Sequence, residues 1–450
     1  MQQTHIRDFT HGNITNQLVS FAWPLFLSNL LQVVYNMVDM IIVGHVLGKA
    51  GTSAVAVGGD VSNFLTFIAM GFSSAGQVLI AKYIGGNQKE KLGKFVGTMT
   101  GFLTLCAIII SAIALFFQRG ILALMNTPEE ALSGAVSYSS VCMAGLVFIY
   151  GYNIVSAIMR GMGDSKRPFI FIGIAAILNV VLDILFVIVL RMDAGGAALA
   201  TVISQGISFF CCGIFLLKNK EKYALVIDTK NFLFWDKEML GSLLKLGTPM
   251  AIKSASVHVS KLFVNSWINS YGVEISAFAG IANKLSSISI LFSNAMNAAG
   301  STMVGQNIAA CKYDRVRKIL LRLAVITLTI ATLLSLTVIL FPQQVFRIFT
   351  DDPSVLSLVR GYIPIAILLF FGSALRAIMN ALINGSGHYA INFATAILDG
   401  IVMRIGLAVL FGLMLNLRHY GFWLGDALAG LTPFWVGIIF YFTGQWKKTT

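Results

Sequence analysis

Two acids interrupt apolar runs in the first half of the chain. Asp39 lies in "QVVYNMVDMIIVGHVLG" (Gln32–Gly48) and Asp183 in "AAILNVVLDILF". A carboxylate facing lipid costs about 2.5–3.5 kcal/mol on insertion scales, so each acid needs a partner or a task. Residues four apart stack on one helix face. Asn179 therefore shares a face with Asp183, and Tyr35 with Asp39, while Asn36 comes three before Asp39. A third run, "GGAALATVISQ", combines small residues that let helices approach closely with the hydroxyl of Thr201. If these faces converge, two carboxylates, an amide oxygen and a hydroxyl make an all-oxygen cluster. Such a set suits a hard monovalent cation. Alternatively, two carboxylates at close quarters do not both stay ionised unaided, and one takes a proton. The competing expectation is that the acids only hydrogen-bond neighbouring helices.

The remaining in-span charges are unevenly placed. Asp60 belongs to the first half and Asp399 and Asp426 to the second, and all the in-span bases (Lys253, Lys261, Lys284, Arg376 and Arg404) are in the second. Lys253 and Lys261 are eight apart and share a helix face. If that face lines a cavity, it favours substrates with an anionic group; otherwise Lys253 snorkels to the interface and Lys261 pairs with a carbonyl or acid. Asp399 and Arg404 lie close enough in sequence to neutralise each other. Intramembrane catalysis would need a facing nucleophile and base or metal ligands, whereas His45 and His258 are isolated and no HExxH is present. The five cysteines form no CxxC, which suggests neither a disulfide framework nor a zinc site. No enzyme activity and no cofactor beyond a coupling ion are expected.

These residues must be positioned by membrane helices. The 450 residues are 57% hydrophobic and 11% charged, against roughly 25% charged in soluble domains. Apolar runs of about 20 residues recur throughout, each long enough to cross a bilayer as a helix. Twelve spans are expected, at 16–43, 53–80, 95–117, 136–159, 168–190, 195–217, 243–269, 275–305, 319–341, 358–382, 389–414 and 420–443. With a cytoplasmic N-terminus, the inner loops hold 21 Lys and Arg and the outer loops six, which fixes the expected orientation with both termini cytoplasmic. The same bias accounts for most of the +13 net charge without a nucleic-acid partner.

The lysine-rich stretch Lys218–Lys245 divides the spans into two sets of six. The expected organisation is an N-terminal bundle at 1–218, a cytoplasmic linker at 219–242 and a C-terminal bundle at 243–450. The halves repeat in sequence. Pro24 of "WPLFLSN" aligns with Pro249 of "TPMAIKS", "AGQVLIAKYIGGNQKEKLGK" from Ala75 with "AGSTMVGQNIAACKYDRVRK" from Ala299, and "RGMGDSK" from Arg160 with "NGSGHYA" from Asn384. Parallel repeats of six spans are a transporter design. Pro24 removes a backbone bond inside span 1 and permits a kink there, a candidate hinge responding to cation binding at Asp39.

The chain resembles the MATE (multidrug and toxic compound extrusion) transporters. The likeness rests on "PLFLSNLLQVVYNMVDMIIVGHVLG", "AKYIGG", "RGMGDSKRPF", "LNVVLD", "GGAALATVISQ" and "GQNIAACKYDRV" in combination, and it covers essentially the whole chain. It implies an all-α fold of 12 transmembrane helices in two pseudo-symmetric six-helix bundles. It also implies export of organic compounds from a prokaryotic cytoplasmic membrane by a Na⁺- or H⁺-coupled antiporter. Residues at the positions of Asp39, Asn179, Asp183 and Thr201 form the first-half cation site in similar members. Many relatives carry an acid in span 7 or span 10, where this chain has Lys253, His258, Lys261 and Arg376; that departure points to the DinF-like branch. A flippase or exporter of a lipid-linked or anionic metabolite in the same superfamily is the alternative. The expected partners are small organic substrates and membrane lipid, with the chain acting as a monomer.

Overall fold

The structure, a computed structural model, describes residues 5–125, 127–226, 228 and 230–448. Its regular structure among these residues is helical. In chain order the helices are α1 (Ile14–Gly85), α2 (Leu92–Leu124), α3 (Glu129–Ala144), α4 (Leu146–Gly161), α5 (Lys166–Asp183) and α6 (Ala194–Lys218). A short turn, α7 (Lys230–Leu233), precedes α8 (Lys237–Asn269), α9 (Val273–Ala309) and α10 (Tyr313–Leu340). Then come α11 (Pro342–Arg347), α12 (Pro353–Ser357), α13 (Val359–Ser386), α14 (Tyr389–Ile397), α15 (Met403–Val409), α16 (Arg418–Ala429) and α17 (Thr432–Thr443).

Nine helical segments among the described residues are long and apolar enough to cross a bilayer, and α3 with α4, bent by 47°, makes a tenth. The twelve expected spans map onto these with two additions. One is α1, whose 72 residues extend roughly 108 Å at about 1.5 Å per residue, enough for two crossings. It is broken at Gly48 (φ 66°, ψ −154°), a backbone region open essentially to glycine. The other is α8, whose apolar character is diluted by Lys245, Lys253, His258 and Lys261. Span 5 finishes in π-helical turns at Ile184–Val189, and span 11 contains two such segments, Leu398–Val402 and Leu410–Met414. Single π turns often mark functional positions. Asp183 immediately precedes the first, and Asp399 lies within the second.

The chain separates into two compact units. One comprises the N-terminal residues up to Asp8 and Trp23–Gly247; the other comprises Phe9–Ala22 and Thr248 to the C-terminus. Both changes of unit inside a helix fall beside the repeat-related prolines, between Ala22 and Trp23 ahead of Pro24 and between Gly247 and Thr248 ahead of Pro249. The sequence boundaries had kept residues 9–22 with the first bundle. No helical break occurs at Pro24; the non-helical residue of α1 is Gly48.

In the first unit α6 packs on α3, α4 and α5. Small residues allow the approach: a Cβ on Gly145 of the α3–α4 bend would collide with Val202, and one on Gly195 with Ser137. The linker lies along α2, where side chains on Gly93 and Gly101 would strike the carbonyls of Val226 and Phe232. Lys94 and Asp236 form an ion pair there at 2.7 Å.

In the second unit α9 and α13 are the principal pair, closing on Gly300 and Gly385. An aromatic core of Phe278, Phe346, Tyr362 and Trp423 fills the end near the α9 N-terminus. The segment from Phe9 is docked on this unit by α9 and the start of α10. Gln306 Oε1 accepts the Phe9 N–H at 2.8 Å, and Asn307 Nδ2 and Arg315 Nε donate to its carbonyl at 3.1 and 2.9 Å. Lys312 and Arg315 donate to the carbonyls of Thr10 and His11.

Candidate functional site

Inside the first unit, α1, α5 and α6 gather the oxygen-bearing residues. Asp39, Asn179 and Asp183 are buried, the last two completely. Asn179 Nδ2 donates to Thr201 Oγ1 at 3.3 Å, and Thr201 Oγ1 donates to Asp39 Oδ2 at 3.5 Å. Both distances are long for hydrogen bonds, so the side chains are assembled but not clamped on one another. The Asp183 carboxyl lies within hydrogen-bond reach of Asp39, so a proton on one carboxyl is shared with the other. Apart from that approach, Asp39 Oδ1, Asn179 Oδ1 and both Asp183 oxygens are buried without a hydrogen-bond partner among the described residues. Buried polar atoms are ordinarily satisfied, and here all four are acceptors. What complements them is positive: a proton or a cation. No group of three or more His, Cys, Asp and Glu occurs among the described residues, and an all-oxygen set disfavours the softer transition metals.

Tyr35 joins this site and Asn36 does not. The Tyr35 hydroxyl is buried and accepts from Gln205 Nε2 at 3.1 Å. Asn36 is exposed, because one residue turns the helix by about 100° away from the Tyr35–Asp39 face. Gln205 was missed from the sequence, and its Oε1 is a further buried oxygen without a partner. The signal for it was present, since Gln205 lies four residues after Thr201 and so on the same face of α6.

The second unit holds a separate chain of charges. Arg376 on α13 donates to Asp399 Oδ1 at 2.8 Å and to the Gly430 carbonyl at 3.2 Å. Arg404 on α15 meets the same Asp399 oxygen at 3.2 Å and also pairs with Asp426 on α16. Asp399 and Arg404 are buried. Lys253 on α8 donates to Asn380 Oδ1 on α13 at 2.6 Å. Lys261 is half-buried two turns further along α8, and Lys284 is exposed. The in-span bases are thus not equivalent: both arginines are matched by acids, whereas the hydrogen-bond partner of Lys253 is a neutral amide. Asn380 was also missed, although it lies four residues after Arg376 on the same helix face.

The family model described as MatE matches residues 24–185 and again 249–411, once in each half. The probable multidrug resistance protein YpnP of Bacillus subtilis (strain 168) is 27% identical over 440 residues, covering 98% of this chain and 97% of its own length. A crystal structure of MATE in the bent conformation superposes with a TM-score of 0.87 at 23% identity, over 97% of this chain and 96% of that one. A MOP superfamily transporter from Pyrococcus furiosus, described as having a binding pocket of reverse polarity that suggests a different function, superposes with a TM-score of 0.87 at 24% identity. That match covers 98% of both chains.

Proposed function

We propose that this chain, which belongs to the MATE family of transporters, is a Na⁺- or H⁺-coupled antiporter of the DinF-like branch that exports organic compounds. Its setting would be a prokaryotic cytoplasmic membrane, with both termini on the cytoplasmic side. The multidrug designation of the Bacillus subtilis relative supports the substrate class. The inner-loop excess of Lys and Arg supports the orientation.

The observation that carries the coupling is the set of four buried acceptor oxygens on Asp39, Asn179 and Asp183 that meet no N–H or hydroxyl donor among the described residues, with the two carboxyls close enough to share a proton. A cation entering from outside would be held by Asp39 and Asp183, with Asn179 and Thr201 supplying neutral oxygens. Tyr35, held by Gln205, would form one wall. Loading stabilises one arrangement of α1, α5 and α6, and substrate stabilises the other. Each then lowers the other's affinity by the same factor, as linkage requires. Alternating access follows from that antagonism.

The test is dye counterflow in proteoliposomes under imposed Na⁺ or pH gradients. Wild type should respond to one gradient, and Asp39→Asn and Asp183→Asn should abolish the response. Gradient-driven export by both variants at the wild-type rate would refute the coupling site.

A further inference from the structure

We infer that the second unit contains an anion-binding subsite built from Lys253, Asn380 and Arg376, and that the transported compounds it selects carry a carboxylate or other compact anionic group. This rests on the antiport reading above and adds a substrate class to it.

Counting charge and hydrogen bonds leads there. Arg376, Arg404, Asp399 and Asp426 form a closed set of two cations and two anions in the order Arg376–Asp399–Arg404–Asp426. Such a set is balanced internally and needs no ligand. Lys253 is outside it. Its hydrogen-bond partner is the Asn380 amide, which satisfies one of its three donors and none of its charge. Asp399 acts on this ammonium electrostatically, but that carboxylate is already shared between Arg376 and Arg404, so Lys253 retains charge and donors for a further anion.

The geometry says where that anion fits. An ammonium only donates, so the Asn380 amide must turn its oxygen toward Lys253, leaving Asn380 Nδ2 without a hydrogen-bond partner among the described residues. One turn away on α13, Arg376 uses Nε for Gly430 and one terminal nitrogen for Asp399, and its other terminal nitrogen is unengaged. The ammonium, the amide NH₂ and that guanidinium N–H therefore remain as donors on two helices joined by the Lys253–Asn380 hydrogen bond. Lys253 and Arg376 are also partly exposed, the Arg376 side chain at 23%, so a ligand can reach them. Asp399 and Arg404 act as positioning residues that fix the Arg376 fork. Lys261, two turns along α8, adds positive potential at the approach.

The experiment compares fluorescein with rhodamine 6G, two dyes with a shared ring system and opposite charge. Binding to the purified full-length protein in detergent is followed by fluorescence anisotropy, which does not depend on coupling. Wild type should bind fluorescein. Lys253→Gln should weaken that binding at least tenfold, Lys253→Arg should retain most of it, and rhodamine 6G binding should be unchanged in both. Asn380→Leu should weaken fluorescein binding in the same way, whereas Lys284→Gln, at an exposed lysine outside the subsite, should leave it intact. Absence of fluorescein binding to wild type, or equal binding by wild type and Lys253→Gln, overturns the subsite. Failure of the antiport reading shows differently, as fluorescein that binds and depends on Lys253 but is moved by neither a Na⁺ nor a pH gradient.

Discussion

Replacing Asp183 by Asn separates a coupling role from a structural one. The side chain is fully buried, and neither carboxylate oxygen meets a donor among the described residues. If Asp183 were structural glue, the substitution would remove hydrogen bonds to donors on neighbouring helices; its partner is the Asp39 carboxyl, to which an amide can still donate. An isosteric amide instead brings a donor into a cluster of acceptors, so the cation-free protein should have an equal or higher Tm. Cation binding should change in the opposite sense. A carboxylate and a monovalent ion about 4 Å apart attract by about 4 kcal/mol at an effective dielectric near 20. Asn keeps one oxygen as a ligand, so the net loss is about 2–4 kcal/mol, or roughly 30- to 700-fold in affinity. The assay pairs melting of the purified protein in cation-free buffer with the concentration dependence of gradient-driven dye export. A Tm lowered by several degrees together with an unchanged cation dependence would refute the reasoning.

Three further outcomes follow from the geometry. Arg404→Leu strands Asp426 and halves the neutralisation of Asp399, which should cost about 3–5 kcal/mol as for other broken buried pairs. Adding Asp426→Leu restores the charge balance and should recover part of the loss, read as Tm in detergent. Gly48→Ala should destabilise by about 1–3 kcal/mol through backbone strain alone, because a Cβ there meets nothing within 4 Å; a neutral result in a chemical-denaturation assay would mean α1 is not broken at that residue. His5 packs against Tyr223 and Phe215 beside Arg167. Its pKa is held below the ordinary 6.5 by burial first, then by Arg167 and Lys222, against a smaller opposing effect of Asp164 and an Asn219 hydrogen bond. A depressed histidine contributes stability above 6.5 and loses it as pH falls through the lower folded value. Hydrogen-exchange protection factors at residues 5–8, taken relative to the intrinsic exchange rate at each pH, should therefore fall between pH 7 and pH 5, and His5→Gln should remove that fall.

The membrane helices and the first-half site were legible in the sequence because their signals are local. Apolar runs report spans, and an acid with an amide or a phenol four residues away reports a polar face. Asp39, Asn179, Asp183 and Thr201 each carry such a signal, and the small-residue stretch around Thr201 shows where α6 must come close. Asn36 is exposed while Tyr35 and Asp39 are buried, a difference that a three-residue spacing does not reveal in the sequence. The second-half charges were not separable by type alone. Which cation is neutralised depends on pairings such as Arg404 with Asp426 and Arg376 with Asp399, which join different helices 22 and 23 residues apart in sequence. The π-helical turns beside Asp183 and around Asp399 have no composition signature. Residues 9–22 carry no sequence sign that they belong with the second unit either, since their partners lie about 300 residues downstream.

That last arrangement governs the order in which the chain can be completed during synthesis. Phe9 is made about 300 residues before the groups that satisfy its N–H and carbonyl, which belong to Gln306, Asn307 and Arg315. At 5–20 residues per second, the ribosome needs about 15–60 s to supply them. For that interval the segment that starts at Phe9 is undocked, available to a chaperone or to the wrong helix. A ribosome stalled before Arg315 would leave the N-terminal segment undocked. Shortening or masking that segment should therefore lower the yield of inserted protein more than it lowers the activity of the molecules that finish.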